Sequence, residues 1–379
     1  MPETYSVVGY GRMMGDAARM DAYARALQAT VRPGSVVLDI GTGTGILALL
    51  ACRFGAGRVY AVEPADAIRT AAGMARANGM ADRIEFIQGL TADVELPRPA
   101  DVIVYDLRGV LPLFQGVVAT VRDARERLLA PGGVMLPRAD TLMAAPLEAP
   151  NAWNDVAGPG ALLGLDLSVA RRAAVNEWSR GDVKPAQLLG EPRAWAVLDY
   201  RTVTDPDVRG AVEWTVSRAG TAHGLAVWFE ADLAEGIGYS SGPGTSTVYK
   251  TAFFPWLEPV ELRPGDRVRV EIEARLVAND YLWRWDSEVE RDGATVASFR
   301  QSTFHANPPA PARLRKRADS FTPALSAAGE MDAWVLGRMD GRVPLGKIAR
   351  ELRERFPGRF ATWEAALTHV GQLSEQYSR

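Results

Sequence analysis

Between residues 36 and 136, short β-branched runs alternate with longer amphipathic ones. Runs at 36–40, 58–62, 83–87, 101–105 and 133–136 are apolar and rich in Val, Ile and Tyr, which predicts strands. Apolar residues recur at helical spacing through 45–54, 66–78 and 115–129, which predicts helices. Strand and helix in regular alternation build a parallel sheet covered on both faces. Ligands of such sheets lie beyond the carboxyl ends of the strands. Residues 41–45, Glu63, 89–92 and Asp106 all fall at those ends. A helix-rich lead-in, from about Tyr5 to Thr30, precedes the first strand, with Met13, Met14, Ala17, Met20, Ala24 and Leu27 on one spacing.

Past Pro137 the period changes to two. Trp195-Ala-Val-Leu-Asp-Tyr, Ala211-Val-Glu-Trp-Thr-Val, Arg267-Val-Arg-Val-Glu-Ile-Glu-Ala and Tyr281-Leu-Trp-Arg-Trp alternate apolar with polar, and turns such as Arg263-Pro-Gly-Asp266 separate the runs. That pattern predicts an antiparallel sandwich or barrel. Residues 306–312 are linker-like by composition, and helical spacing returns with Ile348, Leu352, Phe356, Trp363, Leu367, Val370 and Leu373. The predicted organisation is therefore an α/β domain over 1–140, a β-barrel over 141–305, a linker over 306–321 and a small helical domain over 322–379.

Composition narrows the class. The chain has 379 residues, 43 Lys and Arg against 46 Asp and Glu, a formal net charge of -3 and one cysteine, Cys52. Overall basicity for nucleic acid is lacking, and one cysteine excludes an internal disulfide framework. The first residues carry no basic segment followed by an apolar one, and no run approaches the roughly 18 residues of a membrane span. A cytoplasmic protein without a membrane or nucleic-acid partner is expected. His223, His305 and His369 are the only histidines and lie far apart in sequence, so no metal site is expected. His223 reads as a satisfied barrel residue, His305 as a weak candidate base, and Trp283 and Trp285 as a barrel face.

The chemistry concentrates in Val37-Leu-Asp-Ile-Gly-Thr-Gly-Thr-Gly-Ile46, followed by Val59-Tyr-Ala-Val-Glu63. A glycine turn after a strand lets backbone approach a nucleotide-like ligand, and an acid about 20 residues on accepts ribose hydroxyls. The third glycine, Gly45, comes one position earlier than in G-x-G-x-x-G, and a G-x-x-x-x-G-K-[ST] phosphate loop is absent. The stretch resembles motif I of class I S-adenosylmethionine-dependent methyltransferases. S-adenosyl-L-methionine is thus the cofactor the resemblance implies, with Asp39, Gly41, Thr42, Gly43, Gly45, Ile46, Glu63, Pro64, Leu90, Thr91 and Tyr105 around it.

A glycine-rich nucleotide fold running into a β-barrel is similar to the protein arginine methyltransferases over residues 5–305. The stretch from Tyr10 to Tyr23 resembles that family's N-terminal helix, which implies that Met13 borders the cofactor and Arg19 pairs with its carboxylate. Leu129-Ala-Pro-Gly-Gly-Val-Met-Leu-Pro137 resembles the strand closing the family's sheet. Gly164-Leu-Asp-Leu-Ser168 resembles the segment ending a dimerisation arm, which implies a homodimer with residues 151–163 in the arm. Tyr10, Arg108, Thr247 and Tyr249 fall at positions facing the acceptor. In the family's acceptor hairpin, Tyr105-Asp-Leu-Arg-Gly-Val-Leu-Pro-Leu-Phe-Gln115, the two expected glutamates read Asp106 and Gln115, and the expected histidine beside Thr247 reads Val248. The acid expected at the adenine aligns with Ala92, next to Asp93.

A buried guanidinium left with one carboxylate is under-compensated. The sequence therefore points to a methyltransferase with a redirected acceptor, a ribosomally made natural-product peptide or a small metabolite, with Asp106 as base and Gln115 orienting substrate. Arginine N-methylation of a protein or peptide is the alternative, and a catalytically silent scaffold the second. The segment Leu336-Gly-Arg-Met-Asp-Gly-Arg-Val-Pro-Leu-Gly-Lys-Ile-Ala-Arg-Glu-Leu-Arg-Glu-Arg-Phe-Pro is similar to small winged-helix modules of the PqqD type, which implies a leader peptide added to a sheet edge. The basic run at 313–317 offers an acidic peptide a surface.

Overall fold

A computed structural model of the chain describes residues 7–306 and 310–378. Helices α1 (Val7–Met14) and α2 (Ala17–Thr30) lead in, the second capped by Asp16, whose carboxylate accepts the Arg19 backbone N–H at 3.2 Å. The expected start of the lead-in at Tyr5 lies outside the described residues. Then follow β1 (Val36–Ile40), α3 (Ile46–Arg53), β2 (Arg58–Glu63), α4 (Ala67–Ala77), β3 (Ile84–Gln88), β4 (Ala100–Tyr105), α5 (Val117–Arg127) and β5 (Leu129–Leu136). The five strands form one parallel sheet in the order β3-β2-β1-β4-β5. Every residue of β1 is buried, as a sheet covered on both faces requires. The order reverses beside β1, so the ends of β1, β2 and β4 flank the crevice where such sheets bind ligands.

Two antiparallel sheets and a separate two-stranded hairpin, β7–β8, follow. The strands are β6 (Ala139–Leu147), β7 (Ala161–Leu162), β8 (Leu165–Asp166), β9 (Ser179–Gly181), β10 (Arg193–Asp199), β11 (Val208–Thr215), β12 (Gly220–Ala234), β13 (Ile237–Ser240), β14 (Thr251–Leu262), β15 (Arg267–Val277), β16 (Asp280–Arg291) and β17 (Ala294–Ser302). One sheet runs β10-β6-β12-β14-β9, with β13 on β12, and the other β11-β15-β16-β17. Burial alternates along β15 and β16, which matches their period-two sequences. Trp283 and Trp285 face inward, and the Trp285 indole donates to the Pro255 carbonyl at 2.9 Å.

The expected boundary near residue 140 does not separate two cores. One apolar cluster runs from Leu38, Ile103 and Leu136 into Leu142, Leu198 and Phe229, so sheet and barrel form a single compact unit up to residue 308. Arg125 of α5 ties the two together, donating to the carbonyls of Tyr200 and Val203 at 2.8 and 3.0 Å.

Burial is uneven along the expected arm, residues 151–163. Helix α6 (Pro150–Ala157) buries Trp153 against the barrel, and its indole donates to the Trp256 carbonyl at 2.8 Å. The exposed part is the β7–β8 hairpin, where Leu163 is 93% exposed and Leu162 and Leu165 are also uncovered, together with Val169 at the start of α7 (Ser168–Ala174).

Two short helices, α8 (Thr303–Ala306) and α9 (Pro311–Arg315), lie on either side of residues 307–309, the part of the expected linker outside the described residues. The second unit, from residue 309, contains α10 (Ala327–Gly337), α11 (Leu345–Arg355) and α12 (Trp363–Tyr377) around Val335, Ile348, Leu352, Ala366 and Val370. Its described residues include no strand, so the wing and sheet edge expected of a winged helix are lacking there.

Candidate active site

The turn from β1 to α3 takes positive φ at Gly41, Gly43 and Gly45, +68°, +54° and +86°. Each glycine also meets a close neighbour. A Cβ on Gly43 would lie 2.5 Å from the Tyr10 ring, one on Gly45 2.8 Å from Ala71 of α4, and one on Gly41 against Leu107. The room spared at Gly43 is therefore filled by Tyr10, brought by α1. Ile46 opens α3. Thr42 donates its hydroxyl to Asp39 at 2.6 Å, and the second Asp39 oxygen completes no hydrogen bond among the described residues. Burial pushes the Asp39 carboxyl up to about 7, against the lowering pull of the Thr42 bond.

Glu63 ends β2 and is buried. Its oxygens accept the backbone N–H groups of Gly43 and Ala65, both at 2.9 Å, which aims the carboxylate across the glycine turn. Each oxygen retains a second lone pair. Pro64 and Leu90 are exposed at the rim, and Thr91 is buried with its carbonyl held by Arg127 at 3.0 Å. Tyr105 does not join them. Its hydroxyl turns into the core, donating to the Pro137 carbonyl at 3.1 Å, and its ring meets Tyr200 edge-on, because the side chain of the last β4 residue points between sheet and barrel.

Asp106, the next residue, is buried and surrounded by donors. Arg19 of α2 ion-pairs with one oxygen through Nε, Arg108 donates to the other through Nη1 at 2.9 Å, and the Tyr249 hydroxyl lies 2.6 Å from both. Burial alone would raise its carboxyl; Arg19 and Arg108 outweigh that and hold it below the ordinary range. Burial and the Asp106 charge push the Tyr249 hydroxyl well up, so it stays a donor. The expectation that Asp106 is a base is corrected accordingly: a depressed carboxylate is a weak proton acceptor.

The expectation that Arg108 touches substrate is corrected too. It is enclosed, with Nε and Nη2 bonded in parallel to Asp140 at 2.8 Å each and Nη1 also donating to the Tyr23 hydroxyl at 2.9 Å. Its guanidinium lies over the Phe229 and Tyr239 rings. Tyr200 donates to Asp140 at 2.6 Å. Sequence reading missed Asp140, Tyr23, Tyr200 and Tyr239. A signal existed for the first: Asp140 is the lone charge in the apolar strand β6, and a buried charge demands a partner.

Gln115 is half-buried in left-handed conformation, φ +45°, and its side chain makes no hydrogen bond among the described residues. Thr247 is buried with its hydroxyl unpartnered among the described residues, and the Val248 N–H donates to Asp16 at 2.9 Å, fixing the loop that carries Tyr249 to the cap of α2. Met13 enters through its carbonyl, which accepts Arg19 Nη1 at 2.9 Å. Arg19 is held charged: burial opposes this and Asp106 outweighs it. Its Nη2 makes no hydrogen bond among the described residues.

His223 is buried in β12, its Nδ1 2.8 Å from the Thr221 carbonyl, and burial lowers its pKa. His369 pairs with Asp332 at 2.8 Å in the second unit.

A left-handed glycine turn at the switch point of a parallel sheet, faced by a fixed carboxylate on the neighbouring strand, defines an S-adenosylmethionine-dependent methyltransferase. The cradle fits that cofactor. Glu63 has lone pairs left for ribose hydroxyls, and Arg19 has two N–H groups left for a carboxylate. Residues 22–136 match the family model described as ribosomal protein L11 methyltransferase, and residues 143–286 that of the arginine methyltransferase oligomerization subdomain.

The chain is 31% identical over 244 residues to protein arginine N-methyltransferase 6 of Xenopus laevis, covering 60% of this chain and 71% of that one. It is 30% identical over 266 residues to a probable protein arginine N-methyltransferase 6 of Arabidopsis thaliana, covering 66% of this chain and 58% of that relative's length. The chain belongs to the protein arginine N-methyltransferase family. Its fold matches Arabidopsis thaliana protein arginine methyltransferase 10 with a TM-score of 0.69 at 24% identity, covering 78% of this chain and 97% of that one. The match to the Trypanosoma brucei PRMT1 enzyme-prozyme heterotetrameric complex with AdoHcy has a TM-score of 0.70 at 22% identity, covering 77% and 96%.

Proposed function

We propose that this protein transfers a methyl group from S-adenosylmethionine to a side-chain nitrogen of arginine in a peptide or protein. Membership of the family supports the alternative over the redirected acceptor that the sequence suggested. The observation that carries the reading is Asp106, a buried, ionised carboxylate at the end of β4 beside the glycine turn. When bound, the cofactor supplies a methyl on a cationic sulfur. Glu63 would hold its ribose hydroxyls and Arg19 its carboxylate.

Asp106 orients the acceptor instead of deprotonating it, because its lone pairs face donors and its basicity is depressed. Tyr249 fixes the angle of the Asp106 carboxylate, and the surrounding aromatic side chains exclude water, which favours in-line displacement through positioning. Gln115 adds a neutral contact.

A second reading, an acceptor other than arginine, is favoured by one observation: Arg108 already occupies Asp106. Mass spectrometry of arginine-containing peptides incubated with enzyme and cofactor decides between them. Stoichiometric methylarginine supports the first; methylation confined to other residues or metabolites overturns it. We further propose a homodimer closed by the exposed β7–β8 hairpin, in a reducing compartment where Cys52 stays a thiol.

A further inference from the structure

Arg108 stands two residues after Asp106 in the acceptor hairpin, and nothing in the reaction outlined above uses it. It is locked from behind. Asp140 takes two of its N–H groups, Tyr200 braces Asp140, and Tyr23 takes a third N–H, so the Nη1 facing Asp106 cannot swing away without breaking a buried network. A carboxylate offers about four lone-pair positions. Arg19, Arg108 and Tyr249 already donate to Asp106, leaving about one. An incoming guanidinium needs two for a fork-shaped pair, and it meets a fixed positive charge as well.

We propose that Arg108 is a specificity-determining residue that cancels the Asp106 charge, so that the pocket takes uncharged planar side chains about as readily as guanidinium. This rests on the peptide-acceptor reading above. The acceptor class is thereby widened to ureido and carboxamide groups of arginine-like shape.

The test uses two peptides that differ only in arginine or its neutral isostere citrulline, titrated calorimetrically into the full chain loaded with S-adenosylhomocysteine. The parent should bind them within about tenfold of each other. In R108M/D140N, which removes both partners and leaves no buried orphan charge, the arginine preference should rise by at least about tenfold, the scale of one charge-assisted bond regained. R108K, which keeps the charge, should leave the ratio near the parent value.

A purely structural role predicts the same ratio in all three proteins, and that result, with methylarginine still formed, overturns the proposal alone. Binding of the arginine peptide alone overturns the proposal and leaves the peptide-acceptor reading standing; failure of the arginine peptide to bind or be methylated overturns that reading and the proposal with it. Should the double variant not load S-adenosylhomocysteine, the parent ratio decides: below about tenfold supports, above it overturns.

Discussion

Arg108 and Asp140, 32 residues apart, meet through two parallel hydrogen bonds of 2.8 Å in a space that solvent does not reach. One partner comes from the hairpin after β4, the other from the first barrel strand, β6. The pair therefore joins the parallel sheet to the barrel beside Asp106. Breaking such a pair strands a charge, which costs on the order of 3 to 5 kcal/mol. Asp140→Ala should lower the urea midpoint accordingly, whereas R108M/D140N should lose less; equal losses in the two variants would contradict this.

Asp106→Asn should reduce turnover on the true acceptor about 100-fold or more, since orientation by a charge is lost. It also leaves Arg19 and Arg108 facing a neutral amide, so the melting temperature should fall. Unchanged steady-state kinetics would remove Asp106 from the acceptor site.

Glu63→Ala should weaken S-adenosylhomocysteine binding, measured by calorimetry, at least about tenfold, one bidentate contact being lost. Gly43→Val adds strain at φ +54° and drives a side chain into Tyr10, so it should weaken binding and loosen α1 together. Tight binding by both variants would place the cofactor elsewhere.

The raised pKa of Asp39, about 7, makes a signed prediction. Below the unfolded value near 3.8 both states are protonated. As pH rises from there to about 7 the unfolded state releases its proton while the folded state keeps it, so stability falls with pH across this window. Asp106, with its lowered pKa, acts oppositely: its contribution is present above the unfolded value and lost as pH falls through the folded one. Asp39→Asn should therefore flatten the decline of the urea midpoint between pH 4 and 7; an unchanged pH profile would show that Asp39 ionises normally.

Leu162, Leu163 and Leu165 changed together to Ser should convert a dimer to monomers in light scattering without altering the melting curve of the monomer. Trp153→Ala should instead destabilise the fold by about 3 to 5 kcal/mol, because its ring fills the barrel side of α6. A triple variant that stays dimeric would exclude the hairpin as the contact.

The alternating α/β order, the glycine turn, Glu63 and the change of period after Pro137 are all legible in the amino-acid order. Each of these is local: a strand of period two, a helix of period 3.6 and a glycine at positive φ are set by residues within a few positions of one another. Even the strand limits agree closely, with β1 at Val36–Ile40 as its apolar run predicts.

The surroundings of Asp106 come from folding in three dimensions. Arg19 lies 87 positions before it and Tyr249 143 positions after it, and no local pattern records that α2 and the β13–β14 loop converge there. The same holds for Tyr105, which reads as a site residue by position but faces inward, and for residues 151–163, whose helix buries Trp153 while the hairpin beyond is exposed. Charge in a buried pocket depends on partners distant along the chain; the elements that bring them together follow from near neighbours.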